Sequence, residues 1–210
     1  MNALKGRRHD AKVTSKPSDV EVATSRLNKL IGLIRRSRAK KLHSLIISFH
    51  LSSVPSGNME SESGSNPEPN WIHDVFLSFC REDTRVSFVP YLYAALANAG
   101  VSVYWHQDML IRDVADPLSS IQESRICIIV FSEMYAQSIR CLEQLKQIME
   151  YRRTQGLMIV PVFYEIEPSD VRRQTGTFGK AFEDLTDKVM SWRASLREAS
   201  NISGFVFTNR

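Results

Sequence analysis

The chain has 210 residues, 43% of them hydrophobic, and a formal charge of +4, which suits one domain of ordinary size plus an appendage. Residues 1–70 hold 12 Lys/Arg against 6 Asp/Glu, and residues 71–210 hold 15 against 17. The basicity therefore belongs to the leader, and no specific nucleic acid is expected as a partner of the domain. Three cysteines with no CxxC pair exclude a disulfide or zinc framework and fit a reducing compartment. No apolar run reaches the roughly 18 residues of a membrane span, and the N-terminus lacks the basic-then-apolar order of a signal peptide.

Met1 to Asp19 is polar and basic without periodicity, the composition of a disordered segment. Leu27, Leu30, Ile31 and Ile34 then recur at helical spacing among Arg26, Lys29, Arg35, Arg36 and Arg38, and Leu42, Leu45, Ile46 and Ile47 follow. The basic leader, residues 1–51, is thus expected to hold one or two amphipathic helices. Two readings of it stand open. One is a membrane-surface, nucleic-acid or calmodulin-type segment over residues 23–50; the other is a solvated helix that packs loosely or part of the time. Residues 52–70 change to Ser, Gly, Pro, Asn and Glu, a flexible linker that sets the domain boundary at Trp71.

From Trp71 four strand-like runs alternate with helical patterns. Asp74–Phe79 is the first strand. Phe88, Leu92, Ala95 and Leu96 keep one helix face, which Gly100 stops. Val101–Trp105 is the second strand, and a loop with a short helix runs to Glu123. The third, Ile126–Phe131, is an unbroken β-branched and apolar run, as expected of a strand buried on both faces of a parallel sheet. A helix over Arg140–Arg152 ends before Gly156, and Leu157–Tyr164 is the fourth strand, its Pro161 pointing to a place near an edge or to a local irregularity. Helical pattern returns after a loop over 165–176 and runs to Ser200. Short strand–helix connections predict parallel strands and right-handed crossovers, an α/β, flavodoxin-like domain over 71–186 with a C-terminal helical extension over 187–210.

The common chemistries of this architecture do not fit. Gly176-Thr177-Phe178-Gly179-Lys180-Ala181 has two residues rather than four before Gly-Lys and follows no strand directly, so it is not a Walker motif. No GxGxxG follows the first strand. Phe131-Ser132 stands where a phosphoacceptor domain would end its third strand in an acid. There is no nucleophile elbow or HExxH, and the five histidines do not cluster as ligands.

Several ordered blocks resemble one family. Asp74-Val75-Phe76-Leu77-Ser78-Phe79 followed by Glu82-Asp83-Thr84-Arg85 is similar to the start of plant TIR domains, the Toll/interleukin-1 receptor-type modules of immune receptors. The resemblance continues through Glu123-Ser124-Arg125, Val130-Phe131-Ser132, Tyr135-Ala136, Cys141-Leu142 and Pro161-Val162-Phe163-Tyr164. Beyond these come Pro168-Ser169-Asp170-Val171-Arg172, Gln174-Thr175-Gly176, Phe178-Gly179, Ala181-Phe182, Trp192-Arg193, Leu196 and Ser203-Gly204. It covers residues 72–205, and because the sequence stops at Arg210, before any nucleotide-binding module or leucine-rich repeats, it resembles a TIR-only protein or a truncated receptor.

The resemblance implies a flavodoxin-like TIR fold and a cytoplasmic signalling module in plant innate immunity, with nuclear or membrane-peripheral placement as alternatives. Its partners would be other TIR domains, in self-association or with TIR-type immune receptors. Many members also cleave the nicotinamide–ribose bond of NAD+, so NAD+ would be a substrate here and no cofactor is expected. In those members a glutamate after the third strand stabilises an oxocarbenium-like transition state or holds the ribose. The matching position here is Gln144, which keeps the shape but not the charge. At 100° per residue Gln144 lies roughly 100° from the centre of the Cys141, Leu142, Leu145, Ile148, Met149 cluster, on the rim, whereas Glu143 lies roughly 160° away and is expected in solvent. Glu143 is therefore a poor substitute for the missing acid.

Other departures point the same way. Arg140 stands where a tryptophan normally precedes the cysteine, and Cys80-Arg81 replaces the usual arginine-glycine. Arg112 is followed by Asp113 rather than glycine in a shortened loop, and Pro90-Tyr91 replaces the serine-histidine pair of a symmetric contact. By the resemblance Phe79, Cys80, Arg81, Arg112, Ser138 and Arg140 would line a cleft, and Pro90, Tyr91, Phe178 and Gly179 would meet a partner. Pro90 requires the first helix either to begin late, capped at Ser87, or to kink.

Overall fold

In the computed structural model residues 17–52, 71–105, 117–182 and 189–208 are described. Helix α1 (Pro17–Ser52) leads to strand β1 (His73–Phe79), a single turn α2 (Arg81–Thr84), α3 (Val89–Asn98) and β2 (Val103–Tyr104). Then come α4 (Pro117–Gln122), β3 (Ser124–Phe131), a 3₁₀ turn (Tyr135–Gln137), α5 (Ile139–Gln155) and β4 (Met158–Tyr164). The chain continues through the short helices α6 (Pro168–Arg173) and α7 (Thr177–Lys180) to α8 (Val189–Ser200) and β5 (Phe205–Phe207). The five strands form one sheet in the order β2-β1-β3-β4-β5, every pair parallel. That is the flavodoxin-like arrangement, whose connection from β2 to β3 crosses back over β1.

All eight residues of β3 are buried, because it has a strand on either side and helices above and below. Its side chains alternate between two cores, as the period of two requires. Cys127, Ile129 and Phe131 join one core with residues of α4, α5 and α8; Ile126, Ile128 and Val130 join the other with α3. Helix α5 begins at the Ser138 cap, whose Oγ accepts from the Cys141 amide, and ends at Gly156, whose φ of +69° gives the left-handed C-terminal turn without a Cβ penalty. Helix α3 begins late rather than kinking: Pro90 sits in its first turn, where no amide donor is missed. Phe88 rather than Ser87 precedes it, and the Ser87 hydroxyl donates back to the Asp83 carbonyl instead.

One strand was not expected. Phe205-Val206-Phe207 follows α8 after a few residues and pairs with Val162–Tyr164 of β4. A Cβ on Gly204 would come within 2.4 Å of the Pro161 carbonyl oxygen, so only glycine lets the chain turn this close to β4. Pro161 lies just beyond the end of that ladder, one strand in from the sheet edge.

The leader is where the structure departs most from the sequence reading. Helix α1 is one continuous helix of 36 residues, and the part of its apolar stripe between Leu27 and Ile34 belongs to the domain. Leu30 and Ile34 are buried at 0% and 2% exposure in the same core as Leu92, Leu96 and Phe207. The guanidinium of Arg35 donates to the Ala99 carbonyl at 2.8 Å, and that of Arg38 to the Gly100 carbonyl at 3.3 Å. Arg26 donates to the Val206 carbonyl. The first two meet the end of α3, where carbonyls lack helical partners and the dipole is negative. So α1 joins α3 in covering one side of the sheet, and the loosely packed leader is replaced, over this stretch, by a helix of the fold. The expectations for residues 1–16 and 53–70 lie outside the described residues.

Leu30→Ala is expected to lower the unfolding free energy by about 2–5 kcal/mol. Val22, 47% exposed on the same helix, should change it by less than about 0.5 kcal/mol when cut to alanine. Urea denaturation of the full chain measures both, and equal effects would mean that α1 is not packed as described.

Candidate functional site at the start of α5

Strand β1 ends beside the first turn of α5, and the side chains there form a continuous hydrogen-bonded set. The Ser78 hydroxyl, fully buried, donates to Gln144 Oε1 at 2.7 Å. With that hydrogen committed, the Tyr135 hydroxyl supplies the donor at 3.1 Å to Ser78 Oγ and also faces the Cys141 carbonyl at 3.4 Å. Burial pushes the Tyr135 phenol well above its ordinary value, so it remains a neutral donor. Position 144 is thus built around a side-chain oxygen that accepts. A glutamate would accept the same bond, but Gln144 brings no negative charge to it.

Gln144, Phe79, Arg81, Ser138 and Arg140 line one recess together with Phe76, Leu77, Glu82 and Cys141, and it holds about 50 Å³. Ligand pockets commonly run to about 300–1,000 Å³, so this recess, as bounded by the described residues, is far too small for a dinucleotide. A larger concavity of about 770 Å³ runs along the outer side of α1 past Glu21, Asn28, Lys29 and Arg36. Its lining is exposed apart from the half-buried Gly32, and it has no buried polar group that could orient a ligand.

The expected site residues separate on inspection. Cys80 is buried beneath the rim at 1% exposure rather than lining the recess, because its thiol turns in to donate to Glu82 Oε2 at 3.0 Å. Glu143 is half-buried rather than fully in solvent, and it does not line the recess. Arg112 lies outside the described residues. Tyr91 is 74% exposed on α3 beside Pro90. Phe178 is buried at 1% exposure in the core with Trp192, which leaves its side chain no surface for a partner. The backbone of Gly179 packs so closely on the Gln174 carbonyl that a Cβ would come within 2.7 Å of its oxygen.

The Glu82-Asp83-Thr84 motif turns out to be an anchor. Asp83 accepts from Ser132 Oγ at 2.9 Å and from the Met134 amide at 3.0 Å, fastening the turn after β3 to the turn after β1. Thr84 donates to the Cys80 carbonyl. Glu82 is held below the usual carboxylate range, first by the Cys80 thiol, then by backbone donors and the charge of Arg140. Sequence reasoning quoted this motif without its role and gave no role to Ser78 or Tyr135. The motif itself was the available signal for Asp83, whereas a lone Ser in a buried strand carries none.

With this geometry in place, the comparisons with known proteins are decisive. The family described as TIR domain matches residues 72–210. The chain belongs to the TIR-domain family. It is 44% identical over 154 residues to disease resistance protein RPV1 of Vitis rotundifolia, covering 69% of this chain and 11% of that protein. It is 38% identical over 152 residues to TMV resistance protein N of Nicotiana glutinosa, covering 68% of this chain and 13% of that protein. The chain therefore spans about a tenth of the length of the curated relatives it matches. Among solved structures, the TIR domains of the activated Roq1 resistosome, which directly recognises the pathogen effector XopQ, match with a TM-score of 0.59 and 40% identity. That match covers 64% of this chain and 87% of the Roq1 chain, so the TIR fold stands on both sequence and shape.

Asp83→Ala removes an ionised acceptor of two hydrogen bonds and is expected to cost about 1.5–3 kcal/mol. Hydrogen exchange at the Met134 amide should quicken in parallel. Unchanged exchange there would count against the clamp.

Proposed function

We propose that this TIR domain acts in plant defence signalling by associating with other TIR domains, and that association rather than catalysis is its main activity. The observation that carries the proposal is the surface around α3. Its ten residues, Val89 to Asn98, include no charged side chain. Tyr91 stands 74% exposed at its start and Val86 87% exposed just before it, while Ala94 and Ala97 continue the exposed side of the helix. An aromatic anchor beside small uncharged residues is the composition of an interface centre, where charge is depleted and tyrosine enriched. The disease resistance proteins it matches and the Roq1 assembly support the same reading by analogy.

The membrane reading of residues 23–50 loses its central apolar positions, since Leu30 and Ile34 are already buried in the domain. Among the described residues no helix is long and apolar enough to cross a membrane.

NAD+ cleavage is the second reading, supported by one feature: Ser78 still holds a side-chain oxygen at position 144 in the place a catalytic carboxylate would occupy. Without charge there, and with a recess of about 50 Å³, turnover should be low. Nicotinamide release by the full chain at high protein concentration should rise on the order of a hundredfold in Gln144→Glu, the scale of one positioned electrostatic group. Robust wild-type turnover abolished by Gln144→Ala would overturn the preference for association. In sedimentation experiments Tyr91→Asp should weaken self-association by about tenfold or more with the fold intact, because aspartate is favourable in a first helical turn.

A further inference from the structure

The three cysteines are free, and two of them lie where the end of β1 faces the start of α5. Cys80 is the first residue after β1, and Cys141 lies in the first turn of α5. The Cys141 thiol donates to the Phe79 carbonyl oxygen at 3.6 Å, and that carbonyl carbon is joined by the peptide bond to the Cys80 nitrogen. Each of the two side chains is also the first influence on the other's proton affinity. Cys141 lines the recess, whose volume of about 50 Å³ admits a molecule little larger than water, the order of size of hydrogen peroxide. Cys127, in the middle of β3, faces the core with no exposure.

We propose that Cys80 and Cys141 are a peroxide-responsive couple, Cys141 the attacking sulfur and Cys80 the resolving one, joined on oxidation by a disulfide that ties β1 to α5. In the first step the Cys141 thiolate attacks one oxygen of hydrogen peroxide. The O–O bond breaks, hydroxide leaves and is protonated to water, and the sulfur, oxidised by two electrons, becomes a sulfenic acid. In the second step the Cys80 sulfur attacks the Cys141 sulfur and the S–OH bond breaks. The Cys80 proton and the departing hydroxide make a second water. Two thiols and one peroxide thus give one disulfide and two waters.

The surroundings divide the roles. The Cys141 thiol is pulled below its ordinary value, first by the neighbouring Cys80 thiol and then by Ser138, with the charge of Arg140 adding to this and burial and Glu82 opposing it. Its place in the first turn of α5 works in the same direction, as helix N-termini favour thiolates. The Cys80 thiol is pushed far up by the neighbouring Cys141 thiol, by burial and by its bond to Glu82, so it holds its proton until a partner sulfur is activated. The disulfide would take the Cys80 sulfur away from Glu82 and fix the spacing between β1 and α5, the two elements that carry Ser78 and Gln144.

The test uses the reduced full chain, treated with graded hydrogen peroxide, quenched with N-ethylmaleimide and digested with trypsin. Arg81, Arg125, Arg140 and Lys146 place the three cysteines on separate peptides. The expected product is a Cys80–Cys141 linked pair lacking two hydrogens, reversed by dithiothreitol, with Cys127 alkylated only after denaturation. In Cys80→Ser, Cys141 should instead accumulate as sulfenic acid trapped by dimedone, whereas in Cys141→Ser, Cys80 should stay reduced. The proposal is overturned if both thiols survive peroxide that fully oxidises free glutathione, if Cys127 is the linked residue, or if wild-type Cys141 overoxidises without linking.

Discussion

Two-sided burial of β3 is the constraint on which the rest of the domain depends. A strand with neighbours on both edges and side chains alternating into two cores leaves no face in water, so helices must cover both sides of the sheet. Helices α4, α5 and α8, with the short α6 and α7, supply one side. The other receives α3 from the strand–helix alternation, and the remaining apolar surface over β5 and the end of α3 is covered by α1. The basic residues of α1 suit this place because they end on carbonyls. Arg26 closes on β5, and Arg35 and Arg38 on the residues after α3, where a guanidinium satisfies an acceptor and offsets the helix dipole.

The same constraint places the recess. Strand β1 lies against β3, and the helix after β3 must return across the sheet, which brings the first turn of α5 over the end of β1. Ser78 then has its side chain on the α5 face of the sheet, beside Tyr135, and Gln144 is the acceptor it finds. Asp83 fixes the relation from the other side by bonding the turn after β3. The recess is therefore a consequence of packing that holds whether or not position 144 carries charge, since glutamine and glutamate fill the same volume and accept the same bond.

Much of this was legible in the sequence, for physical reasons that differ between elements. The β-branched runs at 74–79, 126–131 and 157–164 announce strands because burial on both faces leaves them no polar positions. The period of α5 put Gln144 on a rim, and the structure finds it half-buried there. Strand β5 was not legible, because three residues held by tertiary pairing with β4 give no period to count. For α1 the amphipathic pattern was plain, but a stripe of leucine and isoleucine does not say which surface it meets. Cys80 was expected in the cleft by the resemblance and is buried, because a sulfur two bonds from Cα turns toward Glu82 where a longer side chain would reach the rim. Phe178, expected at an interface, packs with Trp192 instead, as a large aromatic beside an open core does when burial gains more than exposure.

The two sides of the sheet also separate the two proposed activities. Gln144, Cys141 and Tyr135 belong to the α5 side and its core; Tyr91 rides on α3, whose buried residues Val89, Leu92 and Leu96 belong to the opposite core. A change of charge at position 144 alters the potential in the recess and leaves the packing that presents Tyr91 untouched. A TIR domain built this way can carry an uncharged recess and still present the surface proposed for association. The reverse is not symmetric, because the two residues after α3 carry carbonyls that help hold α1 in place. A change on α3 that shifts its last turn would reach Arg35 and Arg38, and through them the cover of the sheet. The proposed association surface is thus coupled to stability through α1, while the recess is coupled to it mainly through Asp83.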